Sequence, residues 1–180
     1  MAEEIKKLAE KAQILDKALL ERALEIYREI EDEPFSEENK AKASIYLACD
    51  ESGCAAIRKL PKPKFNILSR ARKKTGIKPN IEPINWVDSI CELINRGKDV
   101  SEKAKEILEE YKKRSSNYYG KDPIITAAVA VYNASILCGE YINQKELEEK
   151  LKITPPPIRS RYRDMVEILS SYYSWLIRFL

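Results

Sequence analysis

Two stretches far apart in this chain repeat each other, and the repetition limits the possible folds more than any other feature. Ile45-Tyr46-Leu47-Ala48, followed by Gly53, is matched by Val131-Tyr132-Asn133-Ala134, followed by Gly139, at an offset of 86 residues. Ile67-Leu68-Ser69-Arg70-Ala71-Arg72 is matched by Ile158-Arg159-Ser160-Arg161-Tyr162-Arg163 at an offset of 91, and Ala23–Ile26 by Ala104–Ile107 at 81. Offsets that drift in this way are what loops of unequal length produce between two copies of one unit. Chance similarity between amphipathic helices is the rival account of matches this short.

The segments between the matches read as helix. Ile14, Leu15, Ala18, Leu19, Ala23, Ile26, Tyr27 and Ile30 recur at three- and four-residue spacing, the helical period, until Pro34. Ser36 opens a helix to about Glu51, and Ser52-Gly53 ends it. A short element spans Cys54 to Leu60, and Phe65 to Lys74 forms another helix. After the proline-bounded stretch Lys78–Pro83, helices are expected over Ile84–Asn95, over Glu102–Arg114 with Ser101 as N-cap, over Ile124–Leu137, and over Asn143–Leu151. The last begins after Thr154, where Pro155 and Pro156 each precede a proline and are pushed towards extended geometry, so Pro157 is the expected first helical residue. The apolar tail Tyr172–Leu180 is expected to dock on the same molecule or on a partner. The fold class is therefore all-α: two tandem five-helix repeats over residues 12–78 and 84–180, joined by a linker at 79–83. Each repeat ends in a helix-turn-helix-like pair.

Charge is unevenly spread behind a net value of +3. Residues 1–54 hold 14 acidic and 8 basic side chains. Residues 55–80 hold nine basic side chains and no carboxylate: Arg58, Lys59, Lys62, Lys64, Arg70, Arg72, Lys73, Lys74 and Lys78. Such a window suits a phosphate backbone or an acidic protein partner. A second basic cluster, Arg159, Ser160, Arg161 and Arg163, lies in the first turns of the last helix. Cations there oppose the helix dipole, which points to an external anion, although a solvated surface is the plainer alternative. The candidate DNA-binding set is Lys62, Lys64, Arg70, Arg72, Lys73, Lys74, Arg159, Ser160, Arg161 and Arg163.

The composition argues against catalysis. There is no histidine, and the five glycines form no phosphate-cradling loop. Cys49, Cys54, Cys91 and Cys138 include no CxxC pair, so neither a zinc site nor any other cofactor is expected. They read as reduced thiols of an intracellular protein. No apolar run is long enough to span a bilayer, so no membrane association is expected.

The second half carries a family resemblance. Lys103-Ala104-Lys105-Glu106-Ile107-Leu108-Glu109, then Gly120-Lys121-Asp122-Pro123 with the Ala/Val-rich stretch to Gly139, then Gln144-Lys145-Glu146-Leu147 and Thr154–Leu169, together resemble the cyclin-like core of archaeal transcription factor B, the relative of eukaryotic general transcription factor IIB. The resemblance spans about residues 12–170 and is looser in the first half. It implies a non-enzymatic protein, cytoplasmic and nucleoid-associated, that docks on TATA-binding protein at promoters and modulates initiation. The implied partners are double-stranded DNA, TATA-binding protein, and RNA polymerase or other initiation factors. By the resemblance Arg159 falls on a base-contacting arginine, and Pro156 falls where the family usually has a β-branched residue. The family's N-terminal zinc ribbon, which recruits polymerase, has no counterpart in these residues. The expectation is thus an accessory or competing factor of an archaeal host or virus. A cyclin-like protein adaptor that never touches DNA is the alternative, because this fold also serves that purpose.

Overall fold

The two repeated small-residue stretches become the central helices of two units. Helices are numbered in chain order: α1 (Ala2–Ala12), α2 (Lys17–Glu29), α3 (Glu37–Ser52), α4 (Phe65–Thr75), α5 (Val87–Leu93), α6 (Lys98–Arg114), α7 (Pro123–Leu137), α8 (Gln144–Leu151) and α9 (Pro155–Leu169). Short 3-10 turns occupy Ala55–Lys59 and Pro83–Trp86. These elements come from a computed structural model that describes residues 2–171, and among those residues there is no strand. The Tyr172–Leu180 tail lies outside the described residues. The chain divides after Asn80 into two compact units.

In the first unit α3 is buried on most of its circumference, through Ala41, Ala43, Ile45, Leu47, Ala48 and Cys49. Its small side chains let neighbouring helices approach on several sides, and α1, α2 and α4 pack around it. The helix starts where the Ser36 hydroxyl accepts from the Asn39 N–H, and it stops at Gly53, whose φ of 72° suits glycine. Tyr27 on α2 is fully buried and donates its hydroxyl to Glu37, which ties the two helices together.

The second unit repeats the plan. Helix α7 buries Ala127, Ala128, Val129, Ala130, Val131 and Ala134, and α5, α6, α8 and α9 surround it. The Asp122 side chain accepts from the Ile124 N–H, and Pro123 takes the first helical position, where its missing N–H costs nothing. Helix α9 packs on both α6 and α7 through Ile158, Met165, Val166 and Leu169.

Several boundaries differ from the expectation. A separate helix, α1, precedes the periodic stretch, whose own helix starts only at Lys17. Gln13 takes a positive φ of 59°, the Ile14 N–H caps back onto the Ala9 carbonyl, and Asp16 caps α2. Leu15, counted into the periodic pattern, is left 87% exposed in the break. Helix α1 packs on α3 and buries Ile5, Ala9 and Ala12, so the unit extends before residue 12. Helix α6 starts at Lys98 with Gly97 at the N-cap position. Ser101 lies inside it, buried, donating to Asp88 on α5. Helix α9 starts at Pro155, two residues earlier than the proline preferences predict. Three prolines fit there because the first N–H groups of a helix have no partner within it. Pro83 belongs to a 3-10 turn and is buried, and Asp50 accepts from the Asn80 N–H at 3.4 Å, so both ends of the expected 79–83 linker are anchored.

Candidate nucleic-acid interface

The basic helix at the C-terminal end of the second unit is built by local chemistry. Asn143 caps α8 through a bond from the Lys145 N–H, and Lys152 closes the helix in the left-handed conformation (φ 49°). Thr154, extended at ψ 150°, then turns the chain into α9. A short turn between two helices, with the second partly exposed, is the helix-turn-helix arrangement. Ile158 points inward, while Arg159, Ser160 and Arg163 are exposed. With Pro156, Asp164 and Glu167 they line one open groove on α9. An ordinary helix start offers N–H groups to a phosphate. Here Pro155, Pro156 and Pro157 have none, so any anion at this end meets side chains only.

Arg161 is not part of that exposed face, contrary to the sequence-based expectation. Its side chain is 0% exposed. Nη1 donates to the Tyr111 hydroxyl at 2.6 Å, to the Asn117 carbonyl at 3.2 Å and to Asp164 at 3.3 Å. The guanidinium also sits 5.7 Å from the centre of the Tyr111 ring. A side chain committed in this way does not reach a phosphate outside. Tyr111 donates its own hydroxyl to Asp164, and burial with this acceptor raises its pKa. Asp164, three residues beyond Arg161 on the same helix, is legible as a pair from sequence. Tyr111 and Asn117, some fifty residues away in the chain, carry no such signal.

In the first unit the basic window separates into three groups. Lys62, Lys64 and Lys73 are exposed and make no ion pair with any described residue. Arg70 pairs with Glu33 at 2.8 Å and lies over the Phe35 ring, and Lys74 pairs with Asp32 at 2.7 Å, which raises the lysine's pKa and lowers the aspartate's. The acidic run before Pro34 therefore neutralises part of a window that holds no carboxylate of its own. Arg72 is largely enclosed, bonded to Asp50 at 2.6 Å and to the Ile77 carbonyl. It is a structural arginine, and its place in the candidate DNA-binding set is withdrawn together with that of Arg161. The expected equivalence of Arg70/Arg72 with Arg161/Arg163 fails in the same way, since Arg70 is exposed where Arg161 is buried and Arg72 is enclosed where Arg163 is exposed.

Cys49 and Cys91 are buried; the neighbouring Cys54 thiol, then burial, raises the pKa of Cys49, and chiefly burial raises that of Cys91 to about 11. Among the described residues no group of His, Cys, Asp or Glu is placed to hold a metal ion, and no helix is long and apolar enough to cross a membrane.

An all-α repeat closed by a helix-turn-helix pair with a basic outer face places this chain among helical proteins of the cyclin-like class. The family model described as transcription factor TFIIB repeat matches residues 77–168, from the segment before α5 almost to the end of α9. The chain belongs to that family. It is 30% identical over 170 residues to transcription initiation factor IIB of Pyrobaculum islandicum, covering 84% of this chain and 49% of that protein. It is 31% identical over 173 residues to transcription initiation factor IIB of Methanosarcina mazei, covering 86% and 50%. Transcription initiation factor IIB 2 of Thermococcus kodakarensis is 32% identical over 142 residues, covering 73% and 46%. The chain thus spans about half the length of the curated relatives it matches.

Proposed function

We propose that this chain acts in transcription initiation as a transcription-factor-B-like core. It docks on TATA-binding protein at promoter DNA and sets α9 against the duplex beside the TATA element. The observation that carries this reading is the joint exposure of Arg159, Ser160 and Arg163 on the second helix of a helix-turn-helix pair, in a chain of the TFIIB-repeat family. Arg159 is the candidate base reader, since an arginine fork matches the O6 and N7 acceptors of guanine. Arg163 and Ser160 position the helix on phosphate. Lys62, Lys64 and Lys73 of the first unit, exposed and in no ion pair with any described residue, add a sequence-independent hold on DNA, with Arg70 and Lys74 available if their carboxylate partners are displaced. The names of the relatives, transcription initiation factor IIB, support the same process. RNA polymerase or other initiation factors are then further partners.

The test is a mobility-shift titration of the full chain against TATA-containing duplexes, with and without TATA-binding protein. The expected outcome is a complex that weakens with salt, and an Arg159→Ala variant that loses about 1–3 kcal/mol of discrimination between base sequences. No complex with either target at low salt would sink this reading and leave the cyclin-like adaptor.

A further inference from the structure

The geometry points to Arg161 as a positioning residue: a buried polar pin that sets the rotation of α9 so that Arg159, Ser160 and Arg163 face DNA, without itself touching DNA. This inference rests on the DNA-binding reading above. Arg161 Nη1 reaches three acceptors, two outside α9 and one on α9 itself. These are Tyr111 on α6, the Asn117 carbonyl in the turn after α6, and Asp164 on α9. The Tyr111 hydroxyl passes the chain of bonds on to Asp164. The turn is held in its own right. Asn117 donates its N–H to the Ser115 hydroxyl, the Tyr118 ring lies tilted against Tyr111 at 5.9 Å between centres, and the Tyr119 hydroxyl donates to Glu82 at 2.6 Å. Arg161 therefore pins α9 to a rigid frame.

The energetics argue that stability is not what this arginine supplies. Among the described residues its buried Nε and Nη2 have no hydrogen-bond partner, and the carboxylate it pairs with, Asp164, is partly exposed. A guanidinium taken wholly out of water with two nitrogens unmet is no more stabilising than an apolar side chain of similar size. What it does supply is direction. Hydrogen bonds weaken steeply with angle, so the two acceptors outside α9, the Tyr111 hydroxyl and the Asn117 carbonyl, are met together at one rotation of the helix, and the Tyr111–Asp164 bond reinforces it. Apolar contacts such as Ile158 and Met165 tolerate slippage. Two residues along a helix turn through about 200°, so Arg159 and Arg163 lie opposite Arg161. Fixing the inner side chain aims the outer two.

The experiment compares the unmodified chain with Arg161→Met and Tyr111→Phe. Each is titrated in the presence of TATA-binding protein on the best-bound TATA duplex and on duplexes with single base-pair changes beside TATA. Thermal melting and the salt dependence of affinity are measured on the same proteins. For Arg161→Met the expected result is a melting temperature at or above that of the unmodified chain, an unchanged salt slope, and a preference between duplexes reduced about fivefold or more, the lower end of what one base contact is worth. Tyr111→Phe leaves Arg161 in place but removes the central hydroxyl, and it should lose preference in the same way. It decides the matter if Arg161→Met fails to fold. A salt slope smaller by about one, with equal weakening on every duplex, would make Arg161 a phosphate contact and overturn the inference. Full retention of preference by the variants would overturn it as well, leaving the function reading intact. No DNA binding by the unmodified chain would overturn both.

Discussion

Arg72 and Lys73 are adjacent, carry the same charge and look alike in the sequence, yet they occupy opposite situations. Lys73 is exposed and pairs with no described residue, whereas Arg72 is mostly enclosed and bonded to Asp50 at 2.6 Å. Asp50 also accepts from the Asn80 N–H, so this one pair ties α3, α4 and the segment leaving the first unit. Arg72→Ala should therefore lower stability by about 2–4 kcal/mol, because it strands a buried carboxylate. Lys73→Ala should stay within about 0.5 kcal/mol. Denaturant unfolding followed by far-UV circular dichroism distinguishes the two, and equal effects would refute the assignment. Residue type does not separate these side chains; the period of α4 places Lys73 about 200° round from the buried Ala71 and Arg72 about 100°, which predicts different burial but no partner. The distinction comes from Asp50, a residue of another helix.

At the scale of elements, helix existence was legible and helix starts were not. Helices α3, α4, α7 and α8 follow their caps and glycine stops to within a residue or two, because those signals are local. The N-cap of α6 is Gly97, four residues before Ser101; Ser101 is a good N-cap residue by type, yet its hydroxyl serves a tertiary partner, Asp88 on α5. That contact is itself testable. Lys105 first, and Ser101 second, hold the Asp88 carboxyl below the ordinary aspartate range. A carboxyl with a lowered folded-state pKa stabilises the fold above its unfolded value of about 3.9, and the contribution fades as pH falls through the folded value. Asp88→Asn should thus be less stable than the unmodified chain at pH 7 by about 0.5–1 kcal/mol, the range of an exposed ion pair. The difference should close near pH 2. A gap that persists at low pH would mean that packing, not charge, links α5 to α6.

For the whole molecule, the charge available to a polyanion is smaller than the sequence implies. Of the ten candidate interface residues, Arg161 and Arg72 are committed internally, and Arg70 and Lys74 are paired with Glu33 and Asp32. Lys62, Lys64, Lys73, Arg159 and Arg163 are left as exposed cations that make no ion pair with any described residue. If the first unit holds phosphate, replacing Lys62 and Lys64 with alanine should weaken binding to every duplex alike and reduce the salt slope by about two. A fall confined to particular sequences would contradict a backbone contact. The amino-acid sequence by itself determined the all-α class, the repeated central helix, the helix-turn-helix ending and the family, because periodicity, capping and small-residue patterning act over a few residues. Only the tertiary structure decided which arginines are free. A guanidinium is neutralised by whatever carboxylate, hydroxyl or carbonyl the fold brings within about 3 Å. For Arg161 and Arg72 those partners, apart from Asp164 and the Ile77 carbonyl, lie far away in the sequence. The triple-proline helix thus keeps its basic outer face, but the arginine at its centre points inward, where the fold uses it as a pin.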